Sequence, residues 1–253
     1  MENNEIPDVR FLGVKISNID YREIYQNIRH NIDMAPYICL TNVTTVIWAS
    51  ADRELLEAIN GSLISVPDGM PLVWYGRIVG CQNIARVPGP ELMSRLLAER
   101  DGFKHFLLGD TEETIEKVKE KARKVNKKII VSGYNPPFKD EFSEADNIDI
   151  FDRIYEKEPD IIWVSFGGGK QDKWMHRNRH RLKRGVMIGV GAAFRFYIGE
   201  IKAPPKIFQD MGLQWLFRMV STPGTIRPML RTFPKFIFHF PREVIAARKT
   251  PII

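Results

Sequence analysis

Hydrophobic residues in this chain fall into short, nearly continuous runs. Between them lie longer stretches where apolar positions return every three or four residues. The runs are Tyr37–Leu40, Leu63–Val66, Phe103–Leu108, Lys128–Val131, Ile161–Phe166 and Val186–Val190. Such runs predict strands covered on both faces. The intervening patterns predict helices at Thr44–Asn60, Pro90–Arg100, Glu112–Val125, Asn147–Lys157 and Gln171–Leu182. Thr111 ahead of Glu112 and Glu113 makes a helix start, and the basic residues from Lys121 to Lys128 suit the negative end of the dipole. Strand and helix alternate, so the expected class is α/β: a Rossmann-like, mostly parallel sheet flanked by helices, with right-handed crossovers.

The pattern changes near Pro204-Pro205. Beyond it Ile207, Met211, Trp215 and Met219 recur every fourth residue, as in an amphipathic helix. Phe233-Pro234-Lys235-Phe236-Ile237-Phe238-His239-Phe240 then interleaves aromatics with cations. The expected division is an α/β catalytic domain at 1–201 and a basic, aromatic-rich helical appendage at 202–253. The appendage has two readings: a helix packed on the body, or a membrane-associating surface where aromatics and cations are favoured together. No apolar run approaches the ~20 residues that span a bilayer.

Charge sharpens this division. The net charge is +6, and residues 202–253 hold nine of the 37 Lys and Arg but only two of the 31 Asp and Glu. The body is close to neutral and the tail is basic, which implies an anionic partner: nucleic acid, a phosphate-bearing substrate or an anionic membrane surface. Two cysteines, Cys39 and Cys81, without metal-ligand spacing suit a reducing compartment. The opening Met1-Glu2-Asn3-Asn4-Glu5 is acidic and polar, unlike a secretory signal. The expected location is cytoplasmic.

Polar and glycine residues follow each run: Thr41-Asn42, Pro67-Asp68, Gly109-Asp110, Ser132-Gly133-Tyr134-Asn135, Gly167-Gly168-Gly169-Lys170-Gln171 and Gly191-Ala192-Ala193. In a parallel sheet these ends share one edge, where ligands bind. Asp68 has two readings, a helix N-cap ahead of Pro71 and a carboxylate that acts as a base or holds a sugar hydroxyl. The glycine loops suit phosphate binding by backbone N–H groups, but neither is a dinucleotide fingerprint nor a P-loop. A nucleoside triphosphatase or hydride-transfer enzyme is therefore disfavoured. His176 and His180 lie among Arg177, Arg179 and Arg181, which reads as a solvated basic face, and no metal site is expected. A metal-independent reaction on a phosphate-bearing substrate needs Arg or Lys at its leaving group, and the tail offers Arg218, Arg227 and Arg231.

Several stretches, in order and spacing, resemble the WecG/TagA/CpsF glycosyltransferases (glycosyltransferase family 26) of bacterial cell-surface polymer synthesis. They are Thr41-Asn42 with Ala49, Pro67-Asp68-Gly69-Met70-Pro71, Arg86-Val87-Pro88-Gly89-Pro90-Glu91-Leu92-Met93 and Leu107-Leu108-Gly109-Asp110. Pro159-Asp160, Gly169-Lys170-Gln171-Asp172-Lys173-Trp174, Gly189-Val190-Gly191-Ala192-Ala193-Phe194 and Gly212-Leu213-Gln214-Trp215-Leu216-Phe217-Arg218 follow. Where the family usually has Phe-Asp-Phe, this chain carries Phe194-Arg195-Phe196.

The resemblance implies an inverting, metal-independent transfer from a UDP-sugar to a sugar on a prenyl-diphosphate lipid, with no cofactor beyond the donor. It implies a peripheral enzyme on the inner face of the cell membrane, whose tail meets an anionic surface and completes the site. By position, Asp68 is the implied general base, and Asn42, Thr41, Arg86 and Gln171 are implied to line the pocket of the transferred sugar. Gly109, Asp110, Tyr134, Asn135, Gly169 and Gly191 fall on the implied nucleotide-binding edge. Arg218, Arg227 and Arg231 fall in the segment that supplies diphosphate-binding arginines. Self-association into a homo-oligomer stays open, and nucleic acid is not an expected partner. Two competing classes are a nucleic-acid-binding protein that uses the basic aromatic tail and a sugar-nucleotide-binding regulator without chemistry.

Overall fold

The computed structural model describes residues 6–202, 204, 205, 208 and 223–247. Apart from Phe208, the amphipathic stretch expected from Ile207 to Val220, with Arg218 in it, lies outside the described residues.

The elements before the first expected strand are a hairpin and a helix. Strands β1 (Asp8–Phe11) and β2 (Val14–Ser17) pair antiparallel, with Phe11 opposite Val14. Leu12 and Gly13 make the turn at φ +50° and +79°. Helix α1 spans Tyr21–Asn31. Next come β3 (Tyr37–Thr41), α2 (Val43–Ala49), α3 (Arg53–Asn60), β4 (Ile64–Pro67), α4 (Met70–Ile78) and α5 (Gly89–Ala98). The chain continues through β5 (Lys104–Gly109), α6 (Glu112–Val125), β6 (Ile130–Tyr134), α7 (Glu144–Lys157) and β7 (Ile161–Ser165). It closes with α8 (Lys170–Asn178), β8 (Val186–Gly189), α9 (Ala193–Ile198) and, beyond the undescribed stretch, α10 (Pro223–Ala247).

Six strands form one sheet in the order β4-β3-β8-β7-β5-β6. The β3–β8, β8–β7, β7–β5 and β5–β6 pairs are all parallel. The α/β class expected from the alternating pattern is therefore found. All six strands match expected runs within three residues at either end. The single helix expected over 44–60 is two, because Asp52 starts afresh as an N-cap, accepting from the Leu55 N–H at 3.1 Å.

The chain forms two compact units. One comprises Met1–Ile24, Leu40–Pro88 and Ala203–Ile253, and the other Tyr25–Cys39 and Gly89–Lys202. In the first, α10 packs on α2 and α4. Its Phe236 is buried and stacks on Phe11 at 5.0 Å between ring centroids, and Phe240 lies 5.4 Å from Phe236. The Glu243 carboxylate accepts the Leu12 N–H at 3.0 Å, tying the helix to the hairpin turn. Three prolines, Pro228, Pro234 and Pro241, lie inside α10. Among the described residues no helix is long and apolar enough to cross a membrane.

In the second unit the core of the sheet is Phe106, Leu107, Leu108, Ile161, Ile162, Trp163 and Val164, all buried. Buried His105 stacks on Trp163 and its Nδ1 accepts the indole N–H at 3.2 Å. Burial pushes the His105 imidazole down from its ordinary 6.5 to about 4, so it is neutral in the folded chain at neutral pH.

Candidate active site

Asp68 leaves β4 directly after Pro67. Its backbone N–H donates to the Thr41 carbonyl at 2.8 Å, and the Pro67 carbonyl accepts the Val87 N–H at 2.7 Å. The residue is thus clamped on one side by the end of β3 and on the other by the segment that carries Arg86. Its side chain is half-buried, and among the described residues nothing hydrogen-bonds its carboxylate. The N-cap of α4 is Gly69, which has no side-chain cap bond, so the cap reading of Asp68 is not realised.

The neighbours of Asp68 divide into holders and donors. Thr41 is buried; its hydroxyl lies 2.9 Å from the Ser65 hydroxyl and its carbonyl holds Asp68. Asn42 caps α2, accepting from the Thr45 N–H at 3.1 Å and the Thr45 hydroxyl at 3.3 Å. That engages Asn42 Oδ1, while its Nδ2 has no partner among the described residues and is available to donate. Arg86 is half-buried one residue from the Val87 clamp. Two residues beyond Asn42, the Thr44 hydroxyl lies 3.2 Å from that of Thr232 on α10. Exposed Arg231 is therefore held close to the start of α2. Arg227 lies in α10, with its side chain outside the described residues.

The second unit carries the remaining candidates on its strand ends. Gly109 ends β5 at φ +103°, with its would-be Cβ 2.7 Å from the Ser165 carbonyl, so only glycine fits. Asp110 follows at φ +60°, in the left-handed region a non-glycine residue rarely adopts. Its Oδ1 accepts from the Thr111 N–H at 2.9 Å and from Arg195 Nη2 at 2.9 Å, and its Oδ2 from Arg195 Nε at 3.1 Å. These bonds hold the Arg195 guanidinium pKa above its ordinary value.

Gln171 is buried, and its Oε1 accepts the Gly191 N–H at 2.9 Å. The Ser165 hydroxyl donates to the Gly191 carbonyl at 2.7 Å, so the peptide links on either side of Gly191 are both held. Gly191 has φ +53° and nothing within 4 Å of a would-be Cβ, leaving space on that side of the loop. The Gly169 N–H donates to Asp172 at 3.0 Å. Asp172 is fully buried, its Oδ1 has no hydrogen-bond partner among the described residues, and burial raises its carboxyl from 3.8 to about 6. Lys170 does not face a ligand: its ammonium donates to the Lys139 carbonyl and lies 4.9 Å from the Phe142 ring centroid.

At β6 the Tyr134 hydroxyl donates to Asp149, and the Arg153 guanidinium covers the ring at 4.2 Å. Tyr134 thus turns its polar end toward α7, while the half-buried Asn135 side chain has no hydrogen bond among the described residues. Asp68, Thr41, Asn42 and Arg86 converge within the first unit; Gly109, Asp110, Gln171, Gly169 and Gly191 share strand ends of the second. Among the described residues no three His, Cys, Asp or Glu side chains cluster as metal ligands do.

Three residues that organise these sites were not among those expected. Arg195 is the one charged residue between Gly189 and Phe196, a signal that the helix start after β8 engages an acid or an anion. Ser165 is the polar terminus of an otherwise apolar strand. Asp172 stands three residues after Gly169, the spacing of a carboxylate that reaches back to a helix start.

A carboxylate clamped at a strand end, with an arginine-bearing helix packed in the same unit, is placed for work on a hydroxyl. Comparison with known sequences decides the class: residues 9–250 match the model of the Glycosyl transferase WecG/TagA/CpsF family. The chain belongs to this family. Among WecG/TagA/CpsF relatives it is 25% identical, over 93% of its own length and 90% of the relative's, to the N-acetylglucosaminyldiphosphoundecaprenol N-acetyl-beta-D-mannosaminyltransferase of Bacillus subtilis (strain 168). Membership in the WecG/TagA/CpsF family makes the chain a glycosyltransferase and accounts for the ordered motifs from Thr41 to Arg218.

Proposed function

We propose that this glycosyltransferase moves a sugar from a UDP-sugar to N-acetylglucosamine carried on a prenyl diphosphate, with inversion at the anomeric carbon. The name of the Bacillus subtilis relative supports this acceptor, which in that protein is N-acetylglucosaminyldiphosphoundecaprenol. The carrying observation is the Asp68 carboxylate: its backbone is clamped by Thr41 and Val87, while nothing among the described residues hydrogen-bonds its side chain. A general base needs this combination of fixed position and available lone pairs.

In this reading Asp68 takes the proton from the acceptor hydroxyl as its oxygen bonds to the anomeric carbon. The bond from that carbon to the UDP oxygen breaks, and UDP leaves with the charge. Asn42 Nδ2 and Arg86 donate to the transferred sugar. Gln171 holds the Gly191 loop beneath the donor. Arg231, with Arg218 and Arg227, meets diphosphate charge, where planar donors suit phosphate oxygens. No metal and no further cofactor take part.

The outer face of α10 supports a peripheral place at an anionic membrane, and the UDP-sugar reading puts that place on the cytoplasmic side. Leu230, Ile237, Phe238 and Ile245 are exposed along it, flanked by Arg231, Lys235 and Arg242. Burial of apolar side chains between headgroups, with cations beside them, is the favourable arrangement for an interfacial helix.

The test is transfer to N-acetylglucosaminyldiphosphoundecaprenol from a panel of UDP-sugars by wild type, Asp68→Asn and Asp68→Ala. Product formation by wild type, lost by roughly a hundredfold or more in both variants, is the expected result. Absence of product with every UDP-sugar overturns the reading, and near-normal turnover of the variants removes Asp68 as base.

A further inference from the structure

We infer that Arg195 is a donor-binding residue that receives the diphosphate of the nucleotide, and that Asp110 is the residue that positions it. The inference rests on the UDP-sugar reading above and adds to it a phosphate receptor in the body of the protein, separate from the tail arginines.

The geometry of the pair assigns the two roles. Arg195 lies on α9 after β8, and Asp110 follows β5; β7 runs between these two strands in the sheet. The ion pair therefore bridges the outer two of three adjacent strand ends. Asp110 engages the Nε and Nη2 side of the guanidinium, with its side chain only 5% exposed. Arg195 is 46% exposed, and its Nη1 has no partner among the described residues. The acid is thus beneath and the cation outermost, with one edge of its fork fixed and the other presented outward.

The loops after β7 and β8 leave space at these strand ends. Gly191 at φ +53° and Gly167 at φ +93° have nothing within 4 Å of a would-be Cβ. A group bound at these strand ends meets one outward guanidinium edge, with room left by the two glycines. A phosphate suits it, because its oxygens match the planar fork of the guanidinium. Asp110 is itself over-determined: its left-handed backbone, the Thr111 N–H and both arginine contacts fix its carboxylate. Holding the guanidinium in one rotamer removes much of the ordering cost that a free arginine incurs when it binds.

The inference is tested by calorimetric titration of the full chain with UDP and with uridine, which lacks the phosphates. Wild type is expected to prefer UDP. Arg195→Ala is expected to lose roughly tenfold to a hundredfold in UDP affinity, as for lost hydrogen bonds to a charged group, with uridine affinity unchanged. Arg195→Lys keeps the charge without the fork and is expected to fall between. Asp110→Asn separates positioning from charge: it is expected to weaken UDP, whereas an acid that only repels phosphate predicts tighter binding. A UDP preference that survives intact in Arg195→Ala overturns the inference alone. Equal loss of UDP and uridine in Arg195→Ala assigns the pair to structure and also overturns it. A wild type that does not prefer UDP to uridine overturns the inference together with the UDP-sugar reading.

Discussion

The hydroxyl of Thr232 on α10 lies 3.2 Å from that of Thr44 on α2 and donates to the Pro228 carbonyl at 2.9 Å. A residue 188 positions later in the chain is thereby fixed beside the helix that Asn42 caps. Thr232→Val keeps the shape and removes this link. It is expected to lower stability by about 1 kcal/mol, the usual net contribution of one hydrogen bond. Turnover is expected to fall as well, because Arg231 loses its tether. Arg123→Ala, at an exposed position on α6, should change neither. Urea unfolding and steady-state transfer, measured on both variants, check this.

The burial of Phe236 against Phe11 makes a stronger test of how α10 is held. Phe236→Ala removes a ring packed at 5.0 Å and 5.4 Å from two others and should cost about 3 kcal/mol. If the melting temperature stays at the wild-type value, the packing of α10 described above is wrong.

On the opposite face of α10, the pair Ile237→Glu and Phe238→Glu should abolish binding to vesicles containing anionic lipid. Both side chains are exposed, so stability should stay within about 0.5 kcal/mol of wild type. Flotation and thermal melting, run together, separate the two effects; undiminished flotation would exclude this face as the docking surface.

Two buried groups give the stability opposing pH dependences. His105 titrates near 4 when folded and near 6.5 when unfolded, so the unfolded chain binds more protons between these values and stability falls as pH drops through them. Asp172 titrates near 6 when folded and near 3.8 when unfolded, so stability falls as pH rises through that window. Each effect is worth about 3 kcal/mol, and they largely cancel between pH 4 and 6. Asp172→Asn should therefore gain about 1–3 kcal/mol above pH 6 and expose a steeper loss on acidification. Urea unfolding at pH 4.5, 5.5, 6.5 and 7.5 would falsify this if the variant matched wild type throughout.

The close approach at the end of β5 makes Gly109→Ala costly. A Cβ there sits 2.7 Å from the Ser165 carbonyl at φ +103°, and the expected loss is about 2 kcal/mol or more. Gly167→Ala has the strained backbone without the clash, so it should cost less; equal melting temperatures for the two would contradict the contact.

The strands and most helices were legible because apolar residues buried on both faces leave an unbroken run that few polar residues interrupt. The hairpin before Tyr37 was not: its strands are four residues each, and Leu12-Gly13 is not an Asn-Gly or Asp-Gly turn. Asp68 was legible as a candidate but not in its role, since cap and base share the same local sequence. Only the fold shows that Gly69 takes the cap position while Thr41 and Val87 hold Asp68. Tyr134 lay on the expected edge, yet its hydroxyl turns to Asp149, fifteen residues on. Such choices among partners depend on distances that periodicity does not carry. The Arg195 pair with Asp110, 85 residues away, is hidden for the same reason.

The prolines of α10 set a limit on depth. Pro234 and Pro241 have no N–H, so the carbonyls of Leu230 and Ile237 lack their usual partner one turn on. Water or a lipid headgroup can satisfy them, but an acyl chain cannot. A helix built this way suits a bilayer's wet margin and is barred from its oil.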